Sequence, residues 1–127
     1  MTFKKDTLAE NIVYHIHGDM TINNFAKIDE INKDLKKVMS NDKYNFIWNL
    51  SDARIIDSTG LSLIAVSVAY SIKMGTSVKI CNANPDNMRL FKISRMGGNV
   101  KHYSSLEEAL EMLVDEGSMM KLIQELN

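Results

Sequence analysis

Short runs of β-forming residues alternate with longer segments of helical periodicity along this chain, and this alternation restricts the possible folds more than any other feature. The predicted order is strand 12–17, helix 25–39, strand 45–50, helix 61–74, strand 77–81, helix 85–96, strand 100–103 and helix 106–113. Strands that alternate with helices indicate an α/β domain, in which the helices pack against a mostly parallel sheet.

The length of 127 residues is enough for one domain with one sizeable core. We expect residues 1–114 to form that domain and residues 115–127 to form a C-terminal tail. A short amphipathic helix is predicted in the tail from the spacing of Met119, Leu122, Ile123 and Leu126.

The charge balance argues against a nucleic-acid partner. The chain has 15 basic and 16 acidic residues and a net charge of −1, whereas binding to phosphate backbones needs a basic surface. A nearly neutral surface leaves contact with another protein open.

The sequence is typical of a cytoplasmic protein that does not insert into membranes. Cys81 is the single cysteine, so no internal disulfide is predicted. The lysines near the N-terminus are not followed by the apolar core of a signal peptide. The longest apolar stretch, near residues 61–72, is interrupted by polar residues and is shorter than the ~20 residues that a membrane span needs.

The residues that could carry chemistry do not form a recognisable catalytic or metal-binding pattern. His15, His17 and His102 lack the spacing of a zinc site, and Cys81 is expected to pack in the core. The surroundings of Ser58 do not match the Gly-x-Ser-x-Gly nucleophile elbow, and no glycine-rich phosphate loop is present. We therefore predict neither an enzyme nor a bound cofactor or metal.

The most informative segment is 55–61, Ile-Ile-Asp-Ser-Thr-Gly-Leu, in which a polar turn leads into the second helix. Ser58 falls at or next to the N-cap, where a serine oxygen accepts a hydrogen bond from an unpaired helix N–H. A phosphate on Ser58 is expected to meet the same N–H groups and the positive end of the helix dipole. Ser58 is thus either a simple cap or a site that tolerates phosphate.

The helix that follows Ser58 is apolar around most of its circumference. Its predicted buried stripe consists of Leu61, Ile64, Ala65, Val68 and Ile72. Further apolar residues lie mostly outside that stripe: Leu63, Val66, Tyr70 and Met74. Such a helix either lies under a second helix layer or offers an apolar face to a partner, and both alternatives remain open.

These motifs resemble the STAS domain, in particular the stand-alone bacterial anti-sigma factor antagonists. The resemblance is carried by Asn49-Leu50-Ser51 after a strand, by residues 56–61 at a helix start, and by Gly18-Asp19 after the first strand. It extends over residues 8–114. It implies a sheet of four or five strands with about four helices.

The resemblance also implies control by partner switching. In the family, the unphosphorylated antagonist binds an anti-sigma factor that is a serine kinase, and so frees the sigma factor. Phosphorylation of the serine that matches Ser58 ends this binding, and a phosphatase reverses the modification. ATP and Mg²⁺ belong to the kinase, so the antagonist itself is expected to need no cofactor.

The expected binding surface centres on Ser58 and includes Asp19, Asp57, Thr59, Gly60, Ser62, Leu63 and Val66. Thr59, Ser62, Ser67 and Ser71 are alternative phosphate acceptors. The other interpretation of the resemblance is a non-switched scaffold or adaptor subunit in a signalling or lipid-transport complex.

Overall fold

The computed structural model describes residues 1–94, 96 and 98–111, which form five strands and four α-helices. The strands are β1 (Thr2–Leu8), β2 (Asn11–His17), β3 (Asn45–Asp52), β4 (Val78–Cys81) and β5 (Val100–Tyr103). The helices are α1 (Phe25–Asn41), α2 (Ser58–Met74), α3 (Pro85–Ile93) and α4 (Leu106–Glu111). A short 3₁₀ turn, Ile22–Asn24, leads into α1. The predicted tail, 115–127, lies outside the described residues.

The strands form one sheet in the order β1-β2-β3-β4-β5. Strand β1 is antiparallel to β2, and every other neighbouring pair is parallel. The predicted α/β class, the mostly parallel sheet and the order of elements from β2 onward are therefore confirmed. No helix within the described ranges is long and apolar enough to cross a membrane.

Strand β1 was not predicted, because its sequence lacks the usual strand and turn signals. Polar and charged residues dominate it, with Phe3 and Leu8 as its apolar members. The turn into β2 contains Ala9 with a φ of 55°, a left-handed conformation that normally favours glycine or asparagine. Pairing with the buried strand β2 holds β1 in place.

One face of the sheet carries the main core, to which α1, α2 and α3 contribute. The rings of Tyr14 and Trp48 stack there with centroids 4.9 Å apart. The Trp48 Nε1 atom donates a hydrogen bond to Ser67 Oγ on α2 at 3.0 Å, which satisfies a buried polar group. On the other face, Ala109 and Leu110 of α4 belong to a smaller apolar cluster.

The buried face of α2 matches the predicted one only in part, since Ile64 and Val68 are buried as predicted. Its buried residues are Gly60, Leu63, Ile64, Ser67, Val68 and Ser71, whereas Ile72 is 62% exposed. The Ser67 and Ser71 hydroxyls donate to carbonyls within the helix, and Ser67 also accepts from Trp48. Two serines with satisfied hydroxyls thus occupy buried positions where larger apolar residues are expected. Apolar periodicity does not predict such positions.

Helix α3 starts as predicted but ends earlier. Asn84 Oδ1 accepts from the N–H of Asn87 at 2.8 Å, with Pro85 in the first helical position. The helix ends at Ile93 and not at Gly97-Gly98, because Ser94 adopts an extended conformation. The hydroxyl of Ser94 donates to a carbonyl of the last helical turn, which helps to close the helix end.

Candidate partner-binding site at the start of helix α2

Helix α2 begins at Ser58, and the preceding residue, Asp57, is its N-cap. Asp57 Oδ1 accepts hydrogen bonds from the backbone N–H groups of Thr59 at 2.8 Å and Gly60 at 3.3 Å. Ser58 lies next to the N-cap, as predicted, but the capping bonds predicted for its hydroxyl are made by the Asp57 carboxylate. A carboxylate suits this position because its charge favours the positive end of the helix dipole.

The second oxygen of Asp57 connects α2 to the segment before α1. Asp57 Oδ2 accepts from the backbone N–H of Ile22 at 2.9 Å. This bond, and after it those from Thr59 and Gly60, hold the pKa of Asp57 below its usual range, against the opposing effect of desolvation. One carboxylate therefore fixes the 3₁₀ turn relative to the start of α2.

The N–H groups at the start of α2 are largely occupied. A helix leaves its first four N–H groups without partners in the helix. Here Asp57 N–H donates to Met20 O at 3.2 Å, and Thr59 and Gly60 donate to Asp57 Oδ1. The prediction that a phosphate on Ser58 would meet free helix N–H groups is therefore wrong for Thr59 and Gly60, because the Asp57 carboxylate already binds them.

The Gly18-Asp19 turn lies beside the same helix start. Asp19 Oδ1 accepts from the N–H of Ile55 at 3.2 Å, and Asp19 Oδ2 lies 3.8 Å from the guanidinium of Arg54. The Met20 N–H donates to Ile55 O at 2.9 Å. The turn after β2 and the loop before α2 are therefore bonded to one another, as expected for two borders of one surface.

Gly60 allows these two segments to approach closely. A Cβ atom on Gly60 would lie 2.4 Å from Met20 O and 2.5 Å from Met20 Cβ, distances far below van der Waals contact. The glycine in the motif is therefore needed for packing against Met20, and its buried position gives a partner little to contact.

An open groove of about 360 Å³ lies between α1 and α2 beside Ser58. It is lined by Ile22, Phe25, Ile28, Asp29, Asn32, Ser58, Thr59, Ser62, Leu63 and Val66. Ile22 and Phe25 are 60% and 56% exposed, although both are large and apolar. The groove thus combines apolar walls with the exposed Ser58 at its edge.

Five of the predicted site residues line this groove: Ser58, Thr59, Ser62, Leu63 and Val66. The other three, Asp19, Asp57 and Gly60, hold together the segments at its end. Leu63 is only 3% exposed and belongs to the core as well as to the groove. Contact of these residues with a partner stays a prediction.

Helix α1 and the turn before it contribute to the groove, although no local sequence pattern predicts this. The three-residue spacing of Phe25 and Ile28 favours one shared buried face of α1, but only Ile28 is buried. The sequence indicates only that Ile22 and Phe25 are apolar. This character does not distinguish them from buried core residues. The pairing of α1 with α2, which exposes these residues beside Ser58, is a tertiary feature.

The alternative phosphate acceptors differ in how exposed their hydroxyl groups are. Ser67 and Ser71 are buried and donate hydrogen bonds to Ile64 O and Val68 O. Ser62 is exposed, and its hydroxyl donates to Ser58 O at 2.7 Å. A kinase would therefore reach Ser58 or Ser62 on the folded protein but not the two buried serines.

The histidines contact other groups. His15 Nε2 lies 2.9 Å from Asp6 Oδ2, and His17 Nδ1 lies 2.7 Å from Asp52 Oδ2. His102 packs against a phenylalanine ring, and burial, together with the charge of Lys92, lowers the pKa of this imidazole. In the part of the chain that the structure describes, no group of three or more His, Cys, Asp or Glu residues could hold a metal ion.

The comparison with protein families identifies one domain family over most of the chain. A model of the STAS domain matches residues 2–109. This chain belongs to the STAS domain family. The match covers β1 through most of α4 and includes the whole groove. A comparison with curated proteins gave no match.

Solved anti-sigma factor antagonists share this STAS fold. SpoIIAA in its unphosphorylated form is 16% identical, with a TM-score of 0.73, over 88% of this chain and 97% of SpoIIAA. The phosphorylated Bacillus SpoIIAA is 17% identical, with a TM-score of 0.74, over 89% and 100% of the two chains. An antagonist from Mycobacterium paratuberculosis is 17% identical, with a TM-score of 0.72, over 90% and 94%.

Proposed function

We propose that this STAS domain is an anti-sigma factor antagonist whose binding to a serine-kinase anti-sigma factor is ended by phosphorylation of Ser58. The unphosphorylated chain binds the kinase in the cytoplasm and so frees a sigma factor. A phosphoserine phosphatase restores the binding form. The kinase supplies ATP and Mg²⁺, and the antagonist itself catalyses no reaction and holds no cofactor.

The observation that carries this proposal is an exposed Ser58 at the edge of an apolar groove, next to a carboxylate that occupies the helix N–H groups. Phosphorylation adds about −1.5 to −2 charges at this point. The added charge would lie beside Asp57, in the groove that Asp29 also lines. Desolvation and repulsion of about 3 kcal/mol would weaken partner binding more than 100-fold.

The test uses the purified chain with each serine-kinase anti-sigma factor of its source organism. After incubation with ATP and Mg²⁺, mass spectrometry should locate phosphate on Ser58. Ser58→Ala should bind the kinase as tightly as wild type and should not be released by ATP. Ser58→Asp should bind at least about tenfold more weakly.

The matched control is Ser40→Asp, since Ser40 is also exposed but lies in the last turn of α1. This variant should bind the kinase like wild type. Phosphate absent from Ser58, together with undiminished binding by Ser58→Asp, would contradict the switch. That result would support a non-switched scaffold or adaptor of a signalling or lipid-transport complex.

A further inference from the structure

The groove beside Ser58 has an apolar part that is exposed in the isolated chain. Ile22 and Phe25 stand at its edge with more than half of each side chain accessible, while Leu63 and Val66 face it from α2. The hydrogen bond from Ile22 N–H to Asp57 Oδ2 fixes the backbone that carries this edge. Large apolar side chains gathered around a concave surface mark an interaction site.

The same groove also has a polar part, in which an amide oxygen lacks a hydrogen-bond donor among the described residues. Asn32 lines the groove, and its Oδ1 atom is buried without a hydrogen-bond partner among the described residues. The Asn32 side chain belongs to the groove wall, so a donor on a bound segment would lie next to this amide. A buried acceptor without a partner is costly to the folded chain, and a donor from a bound molecule would satisfy it.

The charges at the groove restrict what can enter. Asp29 is the one charged side chain among the described residues that line it, and it pairs with Lys33 Nζ at 3.1 Å. An entering carboxylate would face Asp29 and, at the end of the groove, Asp57. The groove therefore favours a neutral or basic segment with apolar character.

We propose that the groove between α1 and α2 receives a segment of the anti-sigma factor kinase that carries a large apolar side chain beside a hydrogen-bond donor. The apolar side chain contacts Ile22 and Phe25, and the donor binds Asn32 Oδ1. This inference rests on the proposed function. It adds α1 to the contact surface and explains why a phosphate on Ser58, which lines the same groove, interferes with the bound segment.

The first test compares two isoleucines with nearly equal exposure. Ile22 is 60% exposed at the groove, and Ile72 is 62% exposed on α2 but outside the groove. Ile22→Ser should weaken binding of the purified kinase by about tenfold or more, and Ile72→Ser should change it by less than about twofold. Equal effects of the two substitutions on binding would overturn the inference.

The second test separates the polar contact from folding. Asn32→Ala removes an acceptor that has no partner among the described residues, so the melting temperature should stay the same or rise. Kinase binding should nevertheless fall about fivefold or more, because the entering donor loses its acceptor. Unchanged kinase binding by Asn32→Ala would overturn the polar part of the inference.

The outcomes distinguish the inference from the function on which it rests. If wild type binds the kinase and is released by Ser58 phosphorylation, while Ile22→Ser and Asn32→Ala bind as tightly as wild type, the groove inference alone fails. If no kinase binds the wild type, the proposed function and this inference fail together.

Discussion

At the scale of single residues, Asp57 and Gly60 organise the site through backbone contacts. The Asp57 carboxylate accepts hydrogen bonds from three backbone N–H groups, two in α2 and one in the turn before α1. Gly60 lets the helix approach the Met20 carbonyl. The residues on either side of Ser58 therefore set the shape of the surface on which Ser58 stands.

Alanine substitutions should show that Asp57, and not Ser58, stabilises α2 as its N-cap. Asp57→Ala should lower the free energy of unfolding clearly, because the N-cap of α2 is lost. Ser58→Ala should change it by less than about 0.5 kcal/mol, because the exposed serine makes no capping bond. Urea unfolding of both variants beside wild type measures the difference, and a larger loss for Ser58→Ala would contradict the assignment.

The stabilising effect of Asp57 should depend on pH in the acid range. The pKa of Asp57 is lowered in the folded chain, so its contribution is complete above the unfolded-state pKa of about 3.9 and is lost as the pH falls through the folded-state pKa. Wild type should therefore lose stability relative to Asp57→Asn only below about pH 4. A difference between the two that is constant from neutral to strongly acid pH would contradict this prediction.

The close packing at Gly60 gives a second prediction at this scale. Gly60→Ala should destabilise the fold by about 1–3 kcal/mol, because the new Cβ would clash with the Met20 backbone. Gly98→Ala is the control, since a Cβ at Gly98 meets no atom of the described residues within 4 Å. Thermal unfolding should show a lower midpoint for Gly60→Ala alone, and equal midpoints would contradict the packing argument.

At the scale of elements, the contact between strand β4 and helix α4 contains a buried lysine. Lys79 is 4% exposed, its Nζ donates to Ala109 O at 3.3 Å, and it lies 5.1 Å from the centre of the Tyr103 ring. Burial, and secondarily the charge of Lys101, lower the pKa of Lys79 to about 8. The contact between sheet and helix therefore includes an ionisable group that is costly to bury in its charged form.

The low pKa of Lys79 predicts how this packing responds to pH. The folded chain gives up the proton near pH 8 and the unfolded chain near its ordinary value of 10.5, so the stability of wild type relative to Lys79→Met should rise with pH between these values. Lys79→Met should be more stable at pH 7. Denaturant titrations of both proteins from pH 7 to 10 test it, and parallel pH profiles would contradict it.

At the scale of the whole molecule, the order of elements from β2 onward followed from periodicity, whereas the edge strand β1 did not. Strands β2 and β3 carry apolar runs, β4 and β5 are short segments that begin with valine, and the helices between the strands carry three- and four-residue spacings. Strand β1 has few apolar residues and turns through Ala9. Its place in the sheet depends on pairing with β2, which is a contact that no local pattern encodes.

The sequence by itself determined the α/β class and the position of Ser58 next to the N-cap of an apolar helix. These features depend on local periodicity and on residue types at a helix end. The tertiary structure decided that Asp57 makes the capping bonds, that α2 buries Ser67 and Ser71, and that Ile22 and Phe25 stand across a groove from Ser58. Apolar spacing shows which residues share a face of a helix, but the element that covers each face is chosen by long-range packing.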